Sequence, residues 1–280
     1  MPSADRSSWD TVPRLTPLDF DRPNLARLTD ALLGGRDHYE SDRKVMDQVL
    51  DLAPGAKQMA RDHRDWIIRA LRLLVGERGV DQFIDLGSGL PTVDNTHQVV
   101  QRYNPEARVI YVDNDPVVLA HGRAMLEEND RTHVAGCDFR EPAKALGHPD
   151  LAPFLDLTRP VALMMNSVIH HVADDEQAAG VVRDWLEAVP SGSYVMLTHQ
   201  YDPADGSEAS LLIRELERIF RGTEIAAVPR SREVISSYFA GLELVPPGLT
   251  YPHDWWPSGP RMLPLSALNF TILGAVARKP

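Results

Sequence analysis

The sequence predicts an α/β protein built on a doubly wound, mostly parallel sheet. The first sign is Gln82-Phe83-Ile84-Asp85-Leu86-Gly87-Ser88-Gly89-Leu90-Pro91-Thr92, an apolar run closed by turning through two glycines. The second is Val109-Ile110-Tyr111-Val112-Asp113, another apolar run, which ends in an acid. Strand, glycine turn, helix, strand, acid is the order of a βαβ unit that holds an adenosine. Beyond it, short apolar runs keep alternating with helical patterns, as a doubly wound sheet requires.

Taken in order, residues 1 to 20 are polar and broken by Pro2, Pro13 and Pro17, the pattern of an arm without regular structure. Leu25, Leu28, Leu32 and Leu33 then share one helical face. Asn24 suits the cap of that helix, and Gly34-Gly35 suits its end. A polar stretch, 36–43, leads into a helix from Lys44 to Leu52. This region reads either as a plain helical hairpin or as a lid. In the lid reading Gly34 and Gly35 let backbone approach a ligand, with Asp37, Tyr39 and Arg43 beside it. Residues 56–78 form a long amphipathic helix with Trp66, Ile67, Ala70, Leu71, Leu74 and Val75 as its stripe.

Strands are expected at 83–86, 109–112, 133–135, 161–165 and 194–198, with helices at 95–103, 116–129 and 174–188 between them. Residues 140–158 read as one short helix with loops. Helical patterns return at 208–221 and 231–240. Two late strands, at 242–245 and 269–277, have no helical pattern between them and predict an antiparallel edge hairpin. The division expected is residues 1–78 as arm and helical lid packed on residues 79–280, the cofactor-binding α/β domain.

At 280 residues the chain has room for one large α/β domain with an added segment. Lys plus Arg total 29 against 40 Asp plus Glu, a formal net charge of −11. That argues against nucleic-acid and anionic-membrane partners, which need basic surfaces. The single cysteine, Cys137, excludes an internal disulfide and a multi-cysteine zinc site. With no secretory signal pattern at the start and no apolar run near the roughly 20 residues that span a bilayer, a cytoplasmic location is expected.

The residues that carry chemistry fall at predicted strand ends. Gly87, Ser88 and Gly89 supply two glycines of the dinucleotide fingerprint, and Pro91-Thr92 replaces the third, which counts against a pyrophosphate. Asp85 repels phosphate but suits an α-ammonium. Asp113 is placed to accept both ribose hydroxyls, followed by Asn114. Asp115, before Pro116, reads as a helix cap rather than a ligand. Asp138 is a candidate acceptor for an adenine amino group, or a cap, and Phe139 a candidate flank for the ring. Asn166 and Ser167 follow the fourth strand and suit the methionine end of a cofactor. His170 and His171 are candidate general bases, or histidines packed under a loop. No metal-ligand spacing accompanies them. His199, Tyr201 and the cluster Tyr251-Pro252-His253-Asp254-Trp255-Trp256-Pro257 either line a substrate pocket or cover the sheet edge. Together Asp85, Pro91-Thr92, Asp113 and Asp138 favour S-adenosylmethionine as the cofactor.

Three motifs add a family. Pro23-Asn24-Leu25-Ala26-Arg27 with Asp30 through Tyr39, the stretch Gln82 to Thr92, and Val109 to His121 together resemble an actinobacterial family of S-adenosylmethionine-dependent methyltransferases, long catalogued as a domain of unknown function. The likeness runs from residue 20 to the closing strand. It implies the Rossmann-like class I methyltransferase fold, a seven-stranded sheet, with Gly87 and Gly89 beneath the cofactor, Asp113 on the ribose, and Asp138 and Phe139 around the adenine. Leu90-Pro91-Thr92 departs from the small residues usual in that loop. The function expected is direct methyl transfer to a small-molecule acceptor. The alternatives are a cofactor-binding regulatory or scaffold protein without turnover, and an NAD-dependent oxidoreductase, which the missing third glycine disfavours.

Overall fold

A computed structural model describes residues 20–221, 223–260 and 263–280. The arm expected over residues 1 to 20 lies outside them except at Phe20. Three helices open the fold: α1 (Leu25–Leu33), α2 (Glu40–Leu52) and α3 (Ala56–Arg72), the last running into a π turn, Leu73–Glu77. Then follow β1 (Gln82–Leu86), α4 (Thr96–Gln101), β2 (Arg108–Asp113), α5 (Pro116–Met125), β3 (Thr132–Gly136) and α6 (Pro142–Leu146). After them come β4 (Ala162–Asn166), α7 (Asp175–Ala188), β5 (Tyr194–Gln200), α8 (Glu208–Phe220), α9 (Arg232–Ser237), β6 (Glu243–Leu244) and β7 (Ile272–Arg278).

The seven strands form one sheet in the order β3-β2-β1-β4-β5-β7-β6. The first five are parallel, and β7 runs antiparallel between β5 and β6. The antiparallel pair is as expected, with β6 as the edge. Strand order reverses between β1 and β4, so the switch point opens at their carboxyl ends. Period-two alternation sorts the strand residues onto two faces. Ile84, Leu86, Ile110, Leu163 and Val195 pack on one face with Val182 and Trp185 of α7. Phe83, Val109, Tyr111, Met164 and Met196 pack on the other with Trp66, Ala70 and Leu71 of α3. Asp85 shares the Phe83 side, and so its carboxyl meets α3 and α4.

The helical segment is held by one buried acid. Asp42 accepts from Asn24 N at 2.9 Å, Tyr39 N at 2.8 Å and Arg27 Nε at 2.8 Å. Its bond to Tyr39 N caps α2 at Glu40, earlier than the Lys44 start the sequence predicts, because the polar stretch Glu40–Arg43 is the helix's first turn. α5 stops at Met125, short of Asn129, where the side chain of Glu127 instead bonds Val134 N at 2.9 Å. α1, α2, α3 and α8 share a second core, including Leu28, Val49, Ala56 and Ile225.

The two tryptophans serve as cover, and of their loop Pro252 and His253 border a small cleft beside His63. Trp255 is fully buried and meets Trp66 edge-on at 5.9 Å. Arg69 clamps the loop through the carbonyls of Trp255 at 3.0 Å and Pro252 at 2.7 Å.

Candidate active site

At the carboxyl ends of β1, β2 and β4 lies a cavity of about 750 Å³, within the roughly 300–1,000 Å³ usual for ligand sites. Its floor is the loop after β1. Gly87 and Gly89 have φ of 63° and 68°, a region that disfavours side chains. A Cβ on Gly87 would come within 2.4 Å of Val168. Gly87 N and Ser88 N donate to Val112 O, and Gly89 N donates to Asp113 Oδ2 at 2.9 Å. Leu90 is buried with Val117 and Val118, so the unusual residue after the glycines serves as packing for α5.

Several expected site residues converge here. Asp85, Gly87, Ser88, Gly89, Asp113, Asn114, Phe139, Asn166, Ser167, His170 and His171 all line the cavity. Asp113 also accepts from Asp115 N at 3.0 Å. Burial raises its carboxyl against the pull of those two backbone N–H groups. Asp115 caps α5 through Val117 N and Val118 N, as read from the sequence, and binds Asn24 Nδ2 at 2.5 Å. Asp85 accepts from Thr96 Oγ1 at 2.7 Å. Burial pushes its carboxyl up to about 6, with Thr96 and Arg64 opposing.

Asp138 is placed differently from its neighbours. It does not line the cavity, and its carboxylate receives Arg140 Nε and Nη2 as a fork at 2.5–3.0 Å. Burial works against its ionisation, but the hydrogen bonds from Arg140 outweigh that and hold it below its ordinary range. Phe139 and Arg140 face the cavity in its stead. Gly34, Gly35 and Tyr39 also stand outside the lining. Gly34, with φ of 86°, ends α1, and Gly35 sits against the Asp30 carboxylate where a Cβ would overlap. Tyr39 is partly exposed, 4.4 Å from the Phe20 ring. Their glycine and cap roles account for them without a ligand.

The two histidines part company. His170 Nδ1 accepts from Gln200 N at 3.2 Å, and its carbonyl accepts from Val228 N, so it ties loops together. His171 Nδ1 donates to Ala226 O at 2.7 Å, which fixes the proton there and leaves Nε2 as a buried acceptor without a partner among the described residues. Burial lowers both rings, His170 further because His171 and His199 lie beside it. His199, held at about 3 by burial, accepts from Arg230 and lies outside the cavity, as does Tyr201. Among the described residues no group of three or more His, Cys, Asp or Glu is placed to hold a metal ion.

Other residues enter that sequence reasoning missed. His63 lines the cavity and meets Thr198 Oγ1 at 2.8 Å through Nε2, and burial holds it at about 4. Arg64 lines it too. His63 continues the apolar stripe of α3, three residues before Trp66 and four before Ile67, and Arg64 borders it; that spacing was the available signal, and their polarity hid it. Ser88 Oγ, both polar side-chain atoms of Asn166, Arg64 Nε and His171 Nε2 are buried without hydrogen-bond partners among the described residues. Unpaired buried polar groups are costly, and so many around one cavity mark a ligand site. Glycine backbone, the Asp113 carboxylate at the end of β2 and amide groups fit S-adenosylmethionine.

The other half of the cavity is apolar. Leu28, Leu32, Val49, Met59, Ile213, Leu216, Phe220, Ile225 and Leu268 line it from α1, α2, α3, α8, the loop after α8 and the turn before β7.

Fold and site define a cofactor-dependent enzyme of the Rossmann-like class I methyltransferase architecture. Comparison with known proteins gives the family. A family model described as S-adenosyl methyltransferase matches residues 13–280, and the chain belongs to that family. A solved protein of the DUF574 family from Streptomyces avermitilis MA-4680 is 36% identical, with a TM-score of 0.87 over 94% of this chain and 100% of that one. A protein from Thermobifida fusca YX, taken to be a methyltransferase, is 40% identical, with a TM-score of 0.84 over 93% and 96%. The N-methyltransferase NodS from Bradyrhizobium japonicum WM9, solved with S-adenosyl-L-homocysteine, shares the fold at 13% identity and a TM-score of 0.50, over 91% and 99%. A search of the curated proteins gave no match. Among the described residues no helix is long and apolar enough to cross a membrane.

Proposed function

We propose that the chain transfers a methyl group from S-adenosylmethionine to a small molecule with an apolar body. One observation carries this: a single cavity joins a polar half at the strand ends to an apolar half under the helices. The bound cofactor supplies a sulfonium methyl open to direct displacement, so the protein's work is positioning. Gly87 and Gly89 let the cofactor approach backbone. Asp113 takes the ribose hydroxyls with the lone pairs that Gly89 N and Asp115 N leave free. Asp85 takes the α-ammonium, and Asn114, Asn166, Ser88 and Ser167 complete the polar lining. Phe139 and Arg140 meet the adenine, with Asp138 holding Arg140 in place. His171, through its free Nε2, takes the acceptor's proton where the acceptor has one to lose, and His170 shapes the loop beneath it.

Leu32, Val49, Leu216 and Phe220 suit an apolar acceptor body. α1 and α2, within the segment up to residue 78, act as a lid on the α/β domain that follows. The net charge of −11 disfavours a nucleic-acid acceptor, and a single buried Cys137 suits the reducing cytoplasm. Titration calorimetry with S-adenosylmethionine, S-adenosyl-L-homocysteine and NAD tests the cofactor: the first two bind and NAD does not. Tight NAD binding with no response to the sulfur compounds overturns it. Label from methyl-labelled cofactor, incubated with the low-molecular-weight fraction of a cell extract, is expected in the organic-extractable product. Label found only in macromolecules overturns the acceptor class.

A further inference from the structure

Two opposite charges face the cavity without neutralising one another. Asp85 is the last residue but one of β1, and Arg64 lies on α3. Each feels the other's field, yet among the described residues no ion pair within 4.0 Å joins them. Among the described residues Arg64 Nη2 donates only to a backbone carbonyl, that of Asp94, whose carboxylate is taken by Arg102 at 2.5 Å. Arg64 Nε is buried with no partner among the described residues. A buried guanidinium without a carboxylate is costly, and the natural remedy is a carboxylate brought by a ligand. Arg140 is the other cation lining the cavity among the described residues, and its fork is committed to Asp138. That leaves Arg64 beside the group proposed to take the ammonium.

We propose that Arg64 binds the α-carboxylate of the cofactor's amino-acid moiety, so that Arg64 and Asp85 together recognise the zwitterion. This rests on the S-adenosylmethionine reading. Its consequence is specificity: the helical segment, through α3, reads the amino-acid end of the cofactor while the sheet reads the nucleoside.

The test compares two ligands that differ in that end. S-adenosyl-L-homocysteine carries the zwitterion, and 5′-methylthioadenosine keeps the nucleoside and sulfur without it. Calorimetry on the wild-type chain is expected to show the first binding more tightly. Arg64→Gln weakens S-adenosyl-L-homocysteine by about 10- to 100-fold, the range for a lost charged hydrogen-bonding partner, and leaves 5′-methylthioadenosine within about twofold. Arg64→Lys keeps the charge but loses the planar fork, and weakens only the zwitterionic ligand, by a smaller factor. Equal weakening of both ligands makes Arg64 a structural residue and overturns the proposal, as does unchanged affinity for both. Should Arg64→Gln show no cooperative melting transition, Arg64→Lys decides by the same two comparisons. A wild-type chain that binds 5′-methylthioadenosine but not S-adenosyl-L-homocysteine overturns the zwitterion site alone. One that binds neither overturns the cofactor reading beneath it.

Discussion

The two halves of the cavity are built by opposite means. The polar half hangs on the ends of β1, β2 and β4, where a few residues in each of three short stretches bring Asp85, Gly87, Asp113 and Asn166 together. The apolar half is assembled from α1, α2, α3, α8 and the turn before β7, with Leu32, Val49, Leu216 and Leu268 far apart in the chain. One half is rigid through the sheet ladder, and the other depends on how helices pack on it. The polar half should therefore govern cofactor affinity, and the helical half should govern whether the lid exists and what it admits.

The largest expected effect strikes the helical half. Asp42→Ala removes the acceptor shared by Asn24, Arg27 and Tyr39 and leaves the Arg27 guanidinium, 4% exposed, without its partner. Breaking such a buried pair costs about 3–5 kcal/mol. Thermal and urea unfolding should register that loss. A change below about 1 kcal/mol would mean that α1 and α2 are not held through Asp42, and the lid reading would go with it.

Next comes the polar half. Asp113→Ala should weaken S-adenosyl-L-homocysteine by about 100-fold, the effect of losing two charged hydrogen bonds to ribose hydroxyls. Stability changes little by comparison, since Gly89 N and Asp115 N lie at a cavity edge where water replaces the lost acceptor. An unchanged dissociation constant in calorimetry removes Asp113 from the ribose.

How much of this contrast was legible in the sequence follows from the same construction. The strand ends were legible because short continuous apolar runs end abruptly at Asp85-Leu86-Gly87, Asp113 and Asn166, and topology brings such ends together. The helical half was not. Leu32, Val49 and Leu216 read as ordinary apolar-face positions, and no local pattern says which of them faces a cavity. His63 lies on the apolar stripe of α3 and Arg64 at its edge, but helical spacing alone does not say that a polar side chain on that face lines a cavity. Gly34 and Gly35 misled the other way: their left-handed or crowded backbone is needed to end α1, and the same glycine signal serves a ligand loop at Gly87. Asp138 shows a subtler limit. Its position at the end of β3 was clear, but its capture by Arg140, two residues on, takes it out of the lining.

A smaller effect separates Asp85 from its neighbours by pH. Its carboxyl, raised to about 6 by burial, is almost wholly ionised at pH 7.5 and about one-tenth ionised at pH 5. An α-ammonium binds the ionised form, so S-adenosyl-L-homocysteine affinity falls with acid, by about tenfold between those values. Burial raises Asp113 as well, so any part it takes in the slope has the same sign. Asp85→Asn should flatten the part between pH 5 and 7 at a lower affinity throughout. A variant with the full wild-type slope would assign the titration to Asp113.

The smallest expected effect tests the division itself. Leu216, on α8, and Phe220, one turn on, line the apolar half and touch none of the strand-end residues by sequence neighbourhood or hydrogen bond. Leu216→Ala removes apolar wall and should leave S-adenosyl-L-homocysteine affinity within about twofold, as for a substitution distant from the bound ligand. It should, however, change which small molecules of an extract accept labelled methyl, because the wall loses about 1–3 kcal/mol of apolar contact with an acceptor that touches it. If the cofactor's affinity falls tenfold instead, the halves are not separate compartments. The cofactor then reaches under α8, and the apolar wall belongs to its own site rather than to the acceptor's.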